Sequence, residues 1–424
     1  MQVSVAGAAP PSPTYAFVNG RWWDGTRYQR GTYYAVDGVL RSKRPPSLDE
    51  TIDLEGRYVI PPLAEGHNHW LEPARVSEYN ACYLADGVFY VRDLRNLPYV
   101  MNQIRDAVNL PNSVDFVTAM QGFTAPASHP IEIIDYFVQA GTFPANWKRD
   151  YDPEAEFAVQ TAQDVANRLQ ILIAERASFV KVYLSYSEVF EARREDPTMY
   201  GNHRGMDPRL LPDLVRRAHA AGLRVIVHIY TVEDFRAALA AGADDIAHLP
   251  AGGSEPGYGI EHFKLTEEDA RLAKQHGVDV TTTVHDLMDD DGGVEGRWNR
   301  QVREEAAIPN LRLLKRYAVP MLVGSDEFRH SVLHEVFVLR DLKVFNNAEI
   351  INMDTRDTAR ATFPNRRIGR LADGYEANFL VLARDPTEDL DNLKSITLRV
   401  KQGRRLTVAP SALNRATLSC VADD

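Results

Sequence analysis

Five side chains in this sequence are of types that bind metal ions, and an isolated lysine lies among them. Their order along the chain is a histidine pair, an isolated lysine, two single histidines and an aspartate: His67, His69, Lys181, His228, His248 and Asp326. Neutral imidazole and carboxylate are good ligands for zinc and similar divalent ions. The set therefore predicts a metal site, provided that the fold brings these stretches together.

The histidine pair is the first of these stretches. His67 and His69 are two residues apart, so on a strand both side chains point to the same side. An HxH pair at a strand end can hold one ion through both rings. The alternative is a chance pair on a loop. The preceding apolar run at 57–63 argues against that alternative.

Lys181 lies inside an apolar run that should be buried on both faces. An unmodified ammonium would suffer a heavy desolvation cost there and could not bind a metal. Burial lowers the pKa of a lysine and makes its amine nucleophilic toward CO2. The alternative is a lysine that reaches solvent or forms a salt bridge.

The remaining candidates each follow a strand-like run. His228 and His248 are separated by one predicted helix, as a single βα unit requires, although a lone histidine after a strand is most often structural. Asp326 follows the last run, where a carboxylate can touch a metal, accept the proton of the attacking water and pass it to the leaving nitrogen. Capping the next helix is a compatible second role for Asp326.

The elements that must position these residues alternate between strand-like and helical patterns. Helices are predicted at 207–221, 231–241 and 266–276, each followed by glycine. Alternating βα units form a parallel sheet, and eight of them close a (β/α)8 TIM barrel. The eight apolar runs are 57–63, 88–91, 114–119, 179–184, 223–229, 244–249, 278–284 and 319–324.

Short strand-like runs broken by glycines also occupy both ends of the chain. We therefore expect an α/β protein in which residues 14–58 and 365–424 form a small β-sandwich domain and residues 59–364 form the barrel. Residues 1–13 read either as the end of a trimmed secretory signal or as a flexible Ala/Pro-rich leader. The location is thus open between cytoplasmic and periplasmic or secreted.

The composition of the chain argues against some classes of binding partner. The net charge of −11 argues against nucleic acid and anionic membrane surfaces. No run of about 18 apolar residues is present, so we expect no membrane insertion. The two cysteines, Cys82 and Cys420, lie too far apart for a CxxC motif, and we expect two free thiols rather than a bridge.

The order of the six candidate ligands resembles that of the amidohydrolase superfamily, and most closely its imidazolonepropionase-like and prolidase-like branch. The resemblance covers nearly the whole chain and includes the stretches 87–94 and 368–382, with Glu65 where the family more often has Asp. It implies a carboxylated Lys181 that bridges two divalent ions, most often Zn2+. It also implies a small-molecule substrate and a homo-oligomer.

Two such ions would make hydroxide available near neutral pH to attack an amide carbonyl. The oxyanion that forms needs a further donor, for which Tyr230 is the first candidate and Tyr183 the second, although either could simply pack. A substrate carboxylate could be bound by residues of the nearby loops. The candidates are His203, Arg204, Arg329 and His330.

The resemblance implies a dipeptide or N-acyl amino acid as substrate, and aromatic residues near predicted strand ends suggest that it carries an apolar or aromatic group. Those residues are Trp70, Phe89, Tyr90 and Phe123. Hydrolysis of lactones or esters, or of mycotoxin amides, is an alternative at the same site. Deamination is disfavoured because Thr231 and Ala251 stand where deaminases carry a glutamate. A non-catalytic scaffold is the alternative from another class.

Overall fold

The computed structural model describes residues 13–69, 73–130, 156–196, 203–253, 255, 257–288, 292–326, 330–408 and 420. The predicted leader at 1–13 lies almost wholly outside this part of the chain. Trp70 and Arg329, two predicted substrate contacts, lie outside it as well.

The described strands divide between one mixed sheet and two parallel sheets. They are β1 (Tyr15–Trp23), β2 (Tyr28–Val36), β3 (Val39–Arg41), β4 (Glu50–Asp53), β5 (Tyr58–Ile60), β6 (Leu63–Asn68), β7 (Val88–Asp93), β8 (Asp115–Thr118), β9 (Phe123–Thr124), β10 (Phe157–Ala158), β11 (Val180–Tyr183), β12 (Val225–His228), β13 (Asp245–Ala247), β14 (Asp279–Thr282), β15 (Met321–Val323), β16 (Phe379–Leu382), β17 (Ile396–Lys401) and β18 (Arg404–Arg405).

The mixed sheet takes its strands from both ends of the chain. Its order is β18-β17-β16-β5-β1-β2-β3, with β4 paired to β1. Phe17, Trp22 and Phe379 lie in its core. The Phe379 ring centroid is 4.8 Å from that of Phe17 and 5.2 Å from that of Trp22. Large aromatic side chains bury much apolar surface, which explains why these distant segments associate.

The parallel strands form two sheets, ordered β6-β7-β8 and β10-β9-β11-β12-β13-β14-β15. Residues of β6, β7, β11 and β12 are buried throughout, as expected of parallel strands covered on both faces. The protein therefore has an α/β fold with parallel sheets. Seven of the eight predicted runs form parallel strands at the predicted places.

The first predicted run was wrong. Residues 58–60 form β5 of the mixed sheet, and the strand that carries the histidine pair is the next one, β6. Pro61 and Pro62 separate the two strands. Proline cannot donate a backbone hydrogen bond, so the ladder ends there and the chain changes sheet.

Hydrogen bonds also join the ends of the two parallel sheets. Ser178 N donates to Thr118 O at 2.9 Å, and Asp326 N donates to His67 O at 2.7 Å. Within the described residues these bonds do not make one closed sheet. The closed (β/α)8 barrel therefore stays a prediction, as do the domain boundaries and the β-sandwich arrangement.

Two of the three predicted helices begin and end as expected, at α6 (Val232–Ala241) and α7 (Glu267–His276). Each has a threonine N-cap and a glycine C-cap in the left-handed region. The third begins with a 3-10 turn at Pro208–Leu210, since the Asp207 side chain accepts from Arg209 N, and continues as α5. None of the described helices is long and apolar enough to cross a membrane. The helices are α1 (Val76–Asp86), α2 (Pro98–Ile104), α3 (Ala162–Ala174), α4 (Phe190–Glu195), α5 (Leu211–Ala220), α6 (Val232–Ala241), α7 (Glu267–His276), α8 (Val294–Val302), α9 (Ile308–Arg316), α10 (Leu333–Asp341), α11 (Asn347–Asn352) and α12 (Ala359–Thr362).

Two π-helical segments make longer helices out of these. Arg303–Ala307 joins α8 to α9, and Met353–Thr358 joins α11 to α12. The second segment supports the parallel strands, because Asp354 accepts from Ala64 N at 3.0 Å and Thr358 Oγ1 accepts from Val323 N at 2.9 Å. Both strands that carry predicted ligands, β6 and β15, are thus bonded to one segment.

The prediction of two free thiols was wrong. Cys82 of α1 and Cys420 form a disulfide, with their Cα atoms 5.4 Å apart. A separation of 338 residues along the chain places no limit on distance in the fold. The two residues meet because Cys420 lies against α1, which the sequence pattern did not reveal.

Candidate metal centre

Three predicted ligands meet where β6 ends and the chain leaves β15. Asp326 Oδ1 lies 3.0 Å from both His67 Nε2 and His69 Nε2. A ligand atom each from His67, His248 and Asp326 lie within 4.8 Å of one another. Such a set of two imidazoles and a carboxylate is a suitable donor group for a divalent ion.

The two single histidines extend this group across the sheet. The His248 ring centroid lies 4.6 Å from that of His67 and 4.6 Å from that of His228. His228 Nε2 is buried and has no hydrogen-bond partner among the described residues. Because a buried polar atom without a partner is costly, this nitrogen fits a metal ligand.

Lys181 lies beneath the same histidines. Lys181 and Tyr183 of β11 pair with Ile226 and His228 of β12, so the lysine is two residues before the level of His228. Its side chain is fully buried, and Nζ has no hydrogen-bond partner within the described part of the chain. Burial lowers the pKa of Lys181 to about 7. The amine therefore has the unpaired, weakly basic character that carboxylation requires.

Protonation states also suit metal binding. Burial holds the pKa of His67 well below its usual value and lowers the pKa of His248 to about 3. Burial acts to raise the pKa of Asp326, but the neighbouring His67 and His248 outweigh it and hold that pKa well below its usual value. Ligands must be unprotonated to bind a metal, and these groups are.

Glu65 holds the two ligand-bearing strands together. Its carboxylate accepts from His67 N at 2.8 Å, from Ser325 N at 3.0 Å and from Ser325 Oγ at 2.5 Å. Burial raises the pKa of Glu65 to about 8, although the hydrogen bonds from Ser325 act against it. Glu65 thus fixes the backbone on both sides of the cluster, which is the support that metal ligands need.

Two of the predicted ligands have an unusual backbone. His248 has φ of +80° and Asp326 has φ of +54°, values in the left-handed region that residues other than glycine rarely adopt. The ring of His248 is further fixed by Thr283, whose Oγ1 lies 2.6 Å from Nδ1. Backbone strain of this kind is concentrated at functional sites, where it aims side chains.

The predicted oxyanion donors lie at the edge of this cluster. The Tyr230 ring is perpendicular to that of His228 with centroids 4.7 Å apart, and the Tyr183 ring lies 5.8 Å from His228. Lys181 Nζ lies 5.2 Å from the centre of the Tyr183 ring. The structure therefore brings both tyrosines to the site.

Sequence reasoning missed His129. Its ring stacks on His228 at 4.5 Å and lies 5.2 Å from Tyr230, and its backbone N donates to Arg204 O at 2.9 Å. Nothing in the sequence pattern around it singled out this histidine. Only the path of the loop places the ring beside His228.

The predicted carboxylate-binding residues are mostly engaged elsewhere. His203 Nδ1 lies 2.8 Å from a Glu255 carboxylate oxygen, and Arg204 Nη2 donates to Pro126 O at 2.8 Å. The His330 ring lies 5.2 Å from that of His334. Arg329 lies outside the described residues. None of these contacts supports the assignment to substrate binding.

The predicted aromatic lining is not found at the three of its four positions that the structure describes. Phe89, Tyr90 and Phe123 are fully buried in the main hydrophobic core. The Tyr90 hydroxyl accepts from Asn378 Nδ2 at 2.8 Å, on the side of the mixed sheet. A strand residue at an apolar position points into the core more often than into a site, and these three do.

Comparisons with known proteins agree with this geometry. The model of the Amidohydrolase family matches residues 115–406, more than half of the chain. No curated protein sequence matches it. Among solved structures, an amidohydrolase is 21% identical, with a TM-score of 0.72, over 93% of this chain and 99% of its own.

Two further structures have similar folds at lower identity. A prolidase complexed with N-methylphosphonate-L-proline is 17% identical, with a TM-score of 0.71, over 93% of this chain and 100% of its own. An ochratoxinase from A. niger is 17% identical, with a TM-score of 0.71, over 93% of this chain and 96% of its own. At identities this low, the likeness to these structures establishes a common fold and no more.

Proposed function

The chain belongs to the amidohydrolase family, and from that premise we propose that it is a metal-dependent hydrolase of amide bonds. The observation that carries the proposal is the buried amine of Lys181, which has no hydrogen-bond partner among the described residues and lies below a cluster of imidazoles and one carboxylate. A structural lysine would be paired, because an unpaired buried amine is costly. An amine that is to react with CO2 and then bind a metal, in contrast, needs no such hydrogen bonds.

We propose that the six predicted residues hold two divalent ions, most often Zn2+, with Lys181 as a carbamate. The deprotonated amine would form a bond to the carbon of CO2 and release one proton, which yields an anionic group with two oxygens. When bound, the ions would supply hydroxide near neutral pH and polarise the substrate carbonyl. The ligands would be His67, His69, Lys181, His228, His248 and Asp326.

The protein's own groups would handle the proton and the developing charge. The carboxylate of Asp326, which lies 3.0 Å from His67 Nε2 and from His69 Nε2, would accept a proton and later deliver it to the leaving nitrogen. Tyr230 can donate a hydrogen bond to the oxyanion. His129, stacked on His228 and close to Tyr230, is a further donor at the same edge of the site.

The scaffold that we propose is a closed (β/α)8 barrel at 63–364, with a small β-sandwich domain from 14–60 and 365–424; the predicted boundary after residue 58 moves because β5 (Tyr58–Ile60) lies in the mixed sheet. Support comes from the two hydrogen bonds that join the parallel sheets and from the mixed sheet built by both chain ends. The homo-oligomeric state remains a prediction.

The proposed substrate is a dipeptide or N-acyl amino acid with an apolar or aromatic group. Support comes from the tyrosines beside the cluster and from the prolidase and the ochratoxinase among the similar structures. The rings of Tyr183 and Tyr230 lie 5.8 and 4.7 Å from that of His228, and the Tyr186 ring lies 5.7 Å from that of Tyr230. Aromatic side chains provide apolar contact together with a polar tip.

Metal analysis and a substrate panel test the proposal. The protein, prepared with zinc and bicarbonate, should hold about two ions per chain and hydrolyse amides of the proposed class. The panel should include small polar dipeptides, esters and lactones. Less than one ion per chain would favour a non-catalytic scaffold. A preference for lactones or esters would show that the protein is a lactone or ester hydrolase and not an amide hydrolase.

A further inference from the structure

Asp234, in the first turn of α6, makes more hydrogen bonds than a helix cap requires. Its side chain is fully buried. Oδ2 accepts from the backbone N of Tyr230 at 3.0 Å and of Thr231 at 3.0 Å, which closes the capping box of its own helix. It also accepts from Tyr186 N at 3.1 Å, on a different loop.

The second oxygen of Asp234 binds the same loop, which follows β11. Oδ1 accepts from Ser187 N at 2.8 Å and from Ser187 Oγ at 2.5 Å. One carboxylate therefore binds the loop that follows β11 and the loop that follows β12. These are the loops that leave the strands of Lys181 and His228.

The other capping boxes with aspartate show what a helix cap alone looks like. Asp164 of α3 accepts from its own cap segment, at Gln160 and Thr161. Asp269 of α7 accepts from Thr266 of its own cap and from Arg236 of the neighbouring helix. Of these three described residues, only Asp234 binds a loop at the candidate site.

A second contact joins the same two loops. Thr231 Oγ1 donates to Glu188 Oε2 at 3.1 Å. Tyr186 has φ of +51°, so a non-glycine residue is held in the left-handed region where Asp234 receives its backbone N–H. The rings of Tyr186 and Tyr230 lie 5.7 Å apart. The two loops thus form one wall beside His228.

We propose that Asp234 is a positioning residue that locks these two loops together and so fixes Tyr230 at the metal cluster. The inference rests on the proposed function for the role of Tyr230. A charged acceptor holds several N–H groups more strongly than a neutral one does. Asparagine would present an NH2 group to donors that an oxygen now receives, so the conservative change should already loosen the wall.

The first test compares Asp234→Asn with Asp269→Asn, which alters the same capping position of a helix without bonds to the site. Both variants should lose thermal stability. Only Asp234→Asn should lower kcat, by at least about tenfold, with a smaller change in KM, because a misplaced catalytic group costs rate. Equal kcat in the two folded variants would overturn the proposal.

A double-mutant cycle with Tyr230→Phe separates positioning from general damage. If Asp234 acts through Tyr230, Asp234→Asn should lower kcat much less in the Tyr230→Phe background than in the wild type. Fully additive losses would overturn the link between the two residues.

Hydrogen exchange gives a readout that needs no substrate. In Asp234→Ala, the amides of Tyr186, Ser187 and Tyr230 should exchange faster, whereas in Asp269→Ala the faster exchange should be confined to the start of α7. A wild-type protein that hydrolysed nothing would refute the proposed function and leave this test intact. Unchanged exchange at Tyr186 and Tyr230 would then still overturn the junction, and faster exchange would support it.

Discussion

Two fully buried lysines in this chain differ in what surrounds their amines. Lys401 Nζ lies 2.6 Å from an Asp115 oxygen and donates to the carbonyls of Leu110 and Ser113. Lys181 Nζ has no hydrogen-bond partner in the described part of the chain. Buried charges are normally paired, so Lys401 has a structural explanation and Lys181 requires a chemical one.

This contrast gives a matched pair of variants at the residue scale. Lys181→Ala should lower turnover by at least about a hundredfold, because it removes a proposed ligand. Short carboxylic acids should restore part of the activity by replacing the carbamate. Lys401→Ala should lower thermal stability, because it leaves buried Asp115 with Arg366 as its remaining cationic partner, and carboxylic acids should not rescue it.

Isotopically labelled bicarbonate provides a direct measurement on the same variants. A carbamate signal should appear in the NMR spectrum of the wild type and of Lys401→Ala and disappear in Lys181→Ala. Full activity of Lys181→Ala, or a carbamate signal that persists in it, would refute the bridging role.

A second residue-scale prediction concerns His285, which lies between two carboxylates. Burial acts to lower its pKa, but Asp286 at 3.0 Å and Glu335 at 3.6 Å outweigh it and raise the pKa to about 11. In the unfolded chain the pKa is about 6.5. The folded state therefore binds the proton more tightly, and this stabilisation is complete below about pH 6.5 and is lost as the pH rises toward 11.

The measurement is a series of thermal unfolding curves. The stability difference between wild type and His285→Asn should be largest near pH 6 and should shrink steadily toward about pH 10. A difference that stayed constant over this range would show that the charge on His285 does not contribute.

At the scale of elements, β6 and β15 approach each other closely enough to require glycine. A Cβ atom on Gly66 would lie 2.5 Å from Val323 O, and one on Gly324 would lie 2.5 Å from His67 Cβ. Both contacts involve backbone or the root of a side chain, which cannot move aside easily. The small residues therefore set the distance between the strands that carry His67 and Asp326.

Gly66→Ala should consequently destabilise the protein by about 1–3 kcal/mol through overpacking. It should also weaken zinc binding, because His67 and Asp326 would move apart. Gly31→Ala is the control, since the nearest heavy atom to its added Cβ is 4.0 Å away. Calorimetry with and without zinc measures both effects, and equal behaviour of the two variants would contradict this account.

At the scale of the whole molecule, polar contacts tie the mixed sheet to the parallel strands. Arg366 donates to Asp115 of β8 at 2.7 Å and to Glu376 at 2.6 and 2.8 Å. Lys401 of β17 binds the same Asp115. The disulfide adds a covalent link between α1 and the C-terminal segment.

Removal of that link should lower stability without altering the metal cluster, which lies on other elements. Cys82→Ser should cost about 2–4 kcal/mol, because the closed loop is long. Thermal unfolding with and without reductant measures it: reductant should lower the Tm of the wild type and leave that of Cys82→Ser unchanged. Thiol labelling of the unreduced wild type should find no free cysteine, and two labelled thiols would contradict the bond.

The sequence by itself determined the order and type of the candidate ligands and most of the strands that carry them. These features are local: a buried strand shows its apolar run, a helix such as α6 shows its threonine cap and glycine stop, and a residue at a strand end is read from its neighbours. His67, Lys181, His228 and Asp326 could therefore be chosen before their distances were known.

Only the tertiary structure decided which distant groups meet. It pairs Cys82 with Cys420, places His129 on His228, directs His203 to Glu255 and brings Asp234 to the loop of Tyr186. It also leaves the amine of Lys181 without a hydrogen bond to any residue that the structure describes. Such contacts depend on loop paths and on packing between sheets, and neither leaves a periodic signal in the chain because the energy is shared by residues far apart in sequence.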